Sequence, residues 1–278
     1  MIPAPFDYEV AESVGHALSL LGEREDAKLL AGGHSLLPVL RLRFARPSLL
    51  VDVGRLEELS YIRDTGDALA IGAVTRHHDV ATSPAVREHN PLLAYAAGLI
   101  GDPQVRHRGT IGGSLAHGDP ASDLPAVLLA LDGEVDIAGA DGVRTVAARD
   151  FFRGVFETAA GPGEMVTEVR VPKIGADHGW SYLKFRRRAQ DWATVGVAAV
   201  ARRSNGGVTE PAIALVNMGA TPLRAAQAEA AWAAGDADPG ATADAGTEPS
   251  SDTNASADFR RHLVRVLVGR AVEEASHR

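Results

Sequence analysis

The chain has no cysteine among its 278 residues. That excludes disulfides, thiolate nucleophiles and cysteine-ligated iron–sulfur clusters from this polypeptide. Long apolar runs are missing too. Nothing approaches the roughly 20 apolar residues that a membrane-spanning helix needs, so no transmembrane segment is expected. The opening Met1-Ile2-Pro3-Ala4-Pro5-Phe6 lacks a basic region followed by an apolar core, so no secretory signal is expected and a cytoplasmic protein is. Positive charge is in short supply. Lys and Arg total 28 against 36 Asp and Glu, a net charge of -8, which argues against a nucleic-acid partner held by clustered cations. The densest basic stretch, Lys184 to Arg188, reads as a solvated strand end or a partner contact. Metal-ligand spacing is absent as well. Ten histidines include no HExxH pair, and the adjacent His77 and His78 would point to opposite faces of an extended segment, as surface residues. No metal is expected.

Apolar residues make up 45% and charged residues 23%, the balance of an ordinary globular protein. The length suits two or three subdomains sharing cores. Ser13 reads as the N-cap of a short helix carrying Val14, Leu18 and Leu21. Lys28 to Ala31 reads as a buried strand broken by Gly32-Gly33, Ser35 to Leu42 as a helix with Pro38 in its first turn, and Leu49 to Val53 as a strand. Together they predict a β-α-β-α-β unit over about residues 1–55. Hairpins are predicted around Thr65-Gly66-Asp67 and between Glu134–Ala138 and Gly142–Val146. Helices are predicted from Thr75, over Pro91 to Ile100 and over Pro125 to Leu131, then a strand over Glu164 to Val171. Gly175 to Gly179 reads as a boundary. Beyond it come strands at Trp180–Arg186, Val195–Arg203 and Pro211–Val216, and a helix from Thr221-Pro222 through Trp232. Gly235 to Ser256 reads as a loose connection before an amphipathic helix over Arg260 to Ala275.

Two glycine pairs carry the chemistry: Ala31-Gly32-Gly33-His34-Ser35 and Gly109-Thr110-Ile111-Gly112-Gly113-Ser114. Glycine admits a positive φ and lets a ligand approach the backbone. Successive amides in such turns form anion-binding concavities, aided by a helix N-terminus. Ser35, Thr110 and Ser114 add hydroxyl donors. Neither turn is a dinucleotide fingerprint or a P-loop. Either pair alone is also ordinary strand-ending punctuation, but two with matched hydroxyls predict one diphosphate gripped between them. A bulky residue at Gly33 or Gly112 is then expected to intrude on the diphosphate path. Downstream, Asp123 suits a ribose or adenine edge equally with capping the helix that follows.

These segments, with Asp102-Pro103-Gln104-Val105-Arg106, Gly118-Asp119-Pro120, Asp191-Trp192-Ala193-Thr194 and Ala255 to Arg261, resemble the flavin subunits of the molybdenum hydroxylase (xanthine dehydrogenase) family. Within it the similarity runs full length to the FAD-binding medium subunits of aerobic carbon monoxide dehydrogenases. The resemblance implies an α+β chain: a vanillyl-alcohol-oxidase (PCMH)-type FAD-binding domain over 1–175, in subdomains of about 1–55 and 56–175, and a small C-terminal α+β domain over 176–278. It implies noncovalent FAD, with Ala31, Gly32, Gly33, His34, Ser35 and Leu36, then Thr110, Ile111, Gly112, Gly113 and Ser114, around the diphosphate. It places Asp123 on the adenosine part, Lys184 near the flavin, and Trp192 over the isoalloxazine, although the residues alone favour a core tryptophan there. Ser114 stands where many relatives have Asn, which keeps a donor but shortens its reach. The implied partners are an iron–sulfur small subunit with 2Fe–2S clusters and a molybdopterin large subunit, in a dimer of heterotrimers. No catalytic residue is expected in this chain. The competing expectations are a stand-alone flavin oxidase or dehydrogenase with a covalent flavin on His34 or His117, a flavin subunit serving an N-heterocycle or aldehyde hydroxylase, and a phosphate-binding regulatory module.

Overall fold

The computed structural model of the chain describes residues 1–204 and 207–278. Its first layer follows from local signals. β1 (Asp7–Val10) leads into α1 (Val14–Glu23), whose N-cap Ser13 accepts a hydrogen bond from the His16 amide. β2 (Lys28–Leu30), α2 (Leu36–Arg41) and β3 (Leu49–Asp52) follow. The three strands are parallel in the order β1-β3-β2, with the apolar β3 buried in the centre. β2 is therefore an edge strand and only half-buried, not the buried strand its Leu-Leu suggested. One side of that edge is left to the cleft described below.

The second layer is an antiparallel sheet in the order β4-β5-β10-β6-β7, formed by β4 (Ile62–Asp64), β5 (Ala68–Gly72), β6 (Glu134–Gly139), β7 (Gly142–Ala147) and β10 (Met165–Pro172). A chain of short helices crosses between β5 and β6: α3 (His77–Thr82), α4 (Pro84–His89), α5 (Pro91–Gly98), α6 (Pro103–Arg106), α7 (Ile111–His117) and α8 (Asp123–Ala130). Ser83, Asn90 and Asp102 each cap one of them ahead of a proline, which explains the close sequence of starts. All eight residues of α8 are buried, as expected of a helix apolar all round. A helical turn α9 (Ala148–Phe151) and a ribbon of β8 (Phe152–Gly154) with β9 (Glu157–Thr158) complete this part.

The third layer is an antiparallel sheet, β11-β12-β13-β14, built from β11 (His178–Phe185), β12 (Val195–Ser204), β13 (Gly207–Val216) and β14 (Leu223–Arg224). Both faces of β12 are covered. Ala198 and Val200 share a core with α5 and α8, whereas Val197, Ala199 and Ala201 share one with α10 (Ala226–Ala233) and α11 (Ala257–His277). This explains the unbroken apolar run in β12 and means that residues beyond 176 complete the core of the part before them.

Two expectations for this region fail. Residues 221–225 do not begin a helix: β14 extends the sheet, and α10 starts only at Ala226. The segment 235–256 is not loose. Pro239, Gly240, Ala243, Thr247 and Pro249 are buried in it, and its Asp244 and Asp252 pair with Arg265 and Arg260 of α11. Its small residues permit close approach: a Cβ on Gly240 would lie 2.3 Å from the Arg265 carbonyl.

Candidate functional site

A cleft of about 610 Å³ lies between the first and second layers, lined also by a loop of the third. That size is typical of a site for one organic ligand. Its floor is the pair of glycine turns, and the structure brings them into contact. A Cβ on Gly32 would lie 2.3 Å from the Arg108 carbonyl and 2.8 Å from Gly109 Cα, so only glycine lets the two backbones touch. Gly33 has φ +77°, a conformation that side chains disfavour. Arg76 fastens the same junction, donating to the carbonyls of Arg108 (2.5 Å) and Gly54 (2.9 Å).

The two turns offer different chemistry. Among the described residues, the amides of Gly32, Gly33, His34, Ser35 and Leu36 donate to no protein acceptor, and all five residues line the cleft. Five successive free donors before a helix suit an anionic oxygen cluster such as a diphosphate. The second pair is not a turn but the opening of α7. There Ile111 N donates to Thr75 O, Gly112 N to Ala73 O, and Gly113 N to the Thr110 hydroxyl, which caps the helix. Four amides of the backbone cradle expected at 110–114, those of 111–114, are thus engaged within the protein. What this helix start presents is the exposed Gly113 and the Ser114 hydroxyl, for which no protein partner occurs among the described residues. The expected obstruction by a Cβ at Gly112 also needs correction: it would meet Ala73 Cβ at 2.5 Å, on the protein side, and one at Gly33 would meet Leu37.

Of the residues expected around the cofactor, all but Ile111 line the cleft; its side chain is in the core. Ala31 and Leu36 border the first turn. Asp123 is neither a helix cap nor a free acceptor. Its two oxygens accept from Tyr182 Oη (2.5 Å) and Lys184 Nζ (2.8 Å), with both members of the ion pair almost completely buried. Burial pushes this carboxyl above the ordinary carboxylate range, and the Lys184 ammonium, with the two hydrogen bonds, pulls against that. Lys184 is therefore not part of a solvated strand end. Tyr182, two positions before it on the same face of β11, had no signal in the sequence beyond that period of two. Trp192 is 54% exposed at the mouth, so it is not a core tryptophan. His34 is exposed at the first turn, and His117 packs against Phe156 with ring centroids 4.9 Å apart.

His77 reverses an expectation. It sits on α3, 4% exposed, with Nδ1 unpartnered among the described residues and its ring against Gly109. Loss of solvation pushes its pKa down to about 3. The imidazole is neutral when folded and takes a proton near pH 6.5 when unfolded, so its stability contribution is present above about pH 6.5 and lost as pH falls toward 3. Unfolding by urea should show His77→Gln losing less stability than the native chain between about pH 7 and about pH 4.5, by on the order of 2 kcal/mol.

The residues fit a dinucleotide cofactor: a donor loop for the diphosphate, a cleft of ligand size around it, and an exposed indole in its lining. Known proteins agree with that reading. Residues 4–174 match the family described as the FAD binding domain in molybdopterin dehydrogenase, and residues 180–275 match the CO dehydrogenase flavoprotein C-terminal domain. The chain belongs to this family of FAD-binding oxidoreductase subunits, and its fold is the α+β, PCMH-type one. It is 45% identical to the carbon monoxide dehydrogenase medium chain of Hydrogenophaga pseudoflava, covering 99% of this chain and 98% of that one. It is 40% identical to subunit alpha of the 6-hydroxypseudooxynicotine dehydrogenase complex of Paenarthrobacter nicotinovorans, over 100% of this chain and 97% of that one. A solved structure of the Hydrogenophaga carbon monoxide dehydrogenase superposes with a TM-score of 0.97, covering 100% of this chain and 99% of its counterpart.

Proposed function

We propose that this chain is the FAD-binding, electron-transferring medium subunit of an aerobic carbon monoxide dehydrogenase. The observation that carries the reading is the run of five unpartnered amides at 32–36, packed through Gly32 onto the second glycine motif. End-to-end similarity to a carbon monoxide dehydrogenase medium chain supports the choice of substrate. In this reading residues 1–175 bind FAD and residues 176–278 form the C-terminal domain whose loops close the cleft. FAD, when bound, supplies an acceptor that takes electrons singly and releases them in pairs.

The protein's own part is position and electrostatics. The amides of Gly32 to Leu36 and the Ser35 and Ser114 hydroxyls hold the diphosphate noncovalently. Ala31, His34 and Gly113 shape its path, while Thr110 caps α7 and Gly112 lets that helix pack against Ala73. Lys184 is held at the wall by its ion pair with Asp123, whose other oxygen accepts from Tyr182, and Trp192 shields one end from water. No residue of this chain breaks a bond of the substrate. Oxidation of carbon monoxide belongs to a molybdopterin large subunit, and 2Fe–2S clusters of a small subunit deliver the electrons, which suits a polypeptide without cysteine. The proposed assembly is a dimer of such heterotrimers in the cytoplasm. Among the described residues, no helix is long and apolar enough to cross a membrane.

The visible spectrum of the purified assembly, before and after acid denaturation, tests this. Acid-releasable flavin beside iron–sulfur absorbance, bleached by carbon monoxide, is the expected result. Flavin in this chain without partners would replace the reading by a stand-alone oxidoreductase. Bleaching by an N-heterocycle and not by carbon monoxide would move the substrate to that class, which the 40% identity to a subunit of the 6-hydroxypseudooxynicotine enzyme keeps in view.

A further inference from the structure

The loop between β11 and β12 carries Trp192 to the mouth of the cleft, and its burial changes abruptly. Residues 187–190 and Trp192 are exposed, whereas Ala193 and Thr194 are 2% and 6% exposed. The base of the loop is closed by Thr194 N donating to Phe185 O at 2.8 Å. Two side chains from distant segments then take the consecutive carbonyls just behind the tryptophan. Asn217 Nδ2 donates to Ala193 O at 2.8 Å, and the buried Arg260 guanidinium donates to Thr194 O. With an acceptor fixed on each of two successive peptides, the backbone beside Trp192 has little freedom to roll.

Asn217 does a second thing. Its own amide donates to Pro120 O at 2.8 Å, in the turn that leads to the buried Asp123 at the start of α8. It lies just past the end of β13 with φ +62°, a left-handed conformation that asparagine tolerates better than most residues. One residue thereby ties the Trp192 loop, from the third layer, to the 118–122 turn, from the second. An alanine in that backbone conformation would be strained, and a glycine would not.

We infer that Asn217 is a positioning residue: its side-chain amide, together with Arg260, holds the Trp192 loop at the register that sets the indole over the cleft. The inference rests on the reading of the cleft as the FAD site only for its effect on the flavin. The anchoring of the loop stands apart from that.

The test compares three full-length variants purified with their FAD. Asn217→Gly keeps the left-handed backbone and removes the side-chain donor. Asn217→Asp keeps the shape and replaces the donor by an acceptor that Ala193 O repels. Trp192→Ala removes the indole itself. Trypsin reads the anchoring, since Arg187 and Arg188 are exposed in the loop. Cleavage there should be about two- to tenfold faster in both Asn217 variants, the rise in open population expected on loss of one hydrogen bond. Flavin emission reads the position, because a stacked indole quenches it. Emission should rise in Trp192→Ala, and in both Asn217 variants it should move toward that value with FAD still bound one to one.

Unchanged cleavage in both Asn217 variants overturns the inference, whatever the flavin does. Faster cleavage with native emission, when Trp192→Ala does raise emission, also overturns it, because the loop is then loosened without moving the indole. Native emission in Trp192→Ala, with faster cleavage in the Asn217 variants, sinks instead the placement of Trp192 on the flavin and leaves the anchoring supported.

Discussion

Gly32→Val is expected to yield a chain that binds FAD far more weakly and loses part of it on gel filtration. Even the first carbon of the new side chain would sit 2.3 Å from the Arg108 carbonyl and 2.9 Å from its carbonyl carbon, so the two glycine motifs must move apart. Backbone cannot yield as a flexible side chain does, and overpacking of this kind costs about 1–3 kcal/mol or more. That cost falls on the packing that aligns the five amides, so FAD affinity should drop by roughly ten- to a hundredfold. Flavin stoichiometry after gel filtration measures it. Gly269→Ala in α11 is the control: an added Cβ there meets nothing within 4 Å, and helix propensity should make that variant about 0.5–1 kcal/mol more stable with flavin unchanged. Full flavin retention by Gly32→Val would mean that contact between the two motifs is not what builds the site.

Asp123→Ala should be the most destabilising single change in the cleft wall. It strands the Lys184 ammonium, whose side chain is 2% exposed, and leaves the buried Tyr182 hydroxyl without its acceptor. Removing one partner of a buried pair costs about 3–5 kcal/mol. Replacing the whole network by apolar groups, as in Asp123→Leu/Tyr182→Phe/Lys184→Met, should restore most of that stability, because no charge is left unpaired. Denaturant unfolding reads the stability and flavin stoichiometry the site. The expected outcome is a triple variant that is stable but binds FAD poorly. A triple variant with native FAD content would show that the network serves the fold alone.

The Asp123 network also shows where sequence legibility stops. Asp123 and Lys184 were each visible as members of a motif, but they lie 61 positions apart, and no local rule says that they pair. The pairing follows from α8 being buried between the second and third layers, which presses the start of the helix against β11. The same holds for His77. Next to His78 it reads as a surface residue even with a helix predicted from Thr75, because no local signal says which helix face turns inward, and the packing sets it against Gly109. Ile111 was counted with its motif, and the motif's own helix points it into the core. Composition misled in one place: the small residues at 235–256 signalled a loose connection, whereas in α11's neighbourhood they allow backbone to pack on backbone.

By itself, the sequence determined whatever depends on a few adjacent residues. Ser13 reads as a cap and is one, because its hydroxyl reaches an amide three residues on, and Gly33 stands where a positive φ is needed. Thr110 and Ser256 cap helices by the same local bond, although the first reads as a ligand donor and the second as part of a loose connection. The absence of cysteine likewise placed any thiolate-bound cluster outside the chain. Only the tertiary structure decided which of those local features act together. It set Gly32 against Arg108, engaged the amides of the second motif while leaving those of the first free, and buried the Asp123–Lys184 pair. Caps and turns are fixed by bonds between near neighbours, whereas burial and pairing depend on which distant surfaces exclude water from each other.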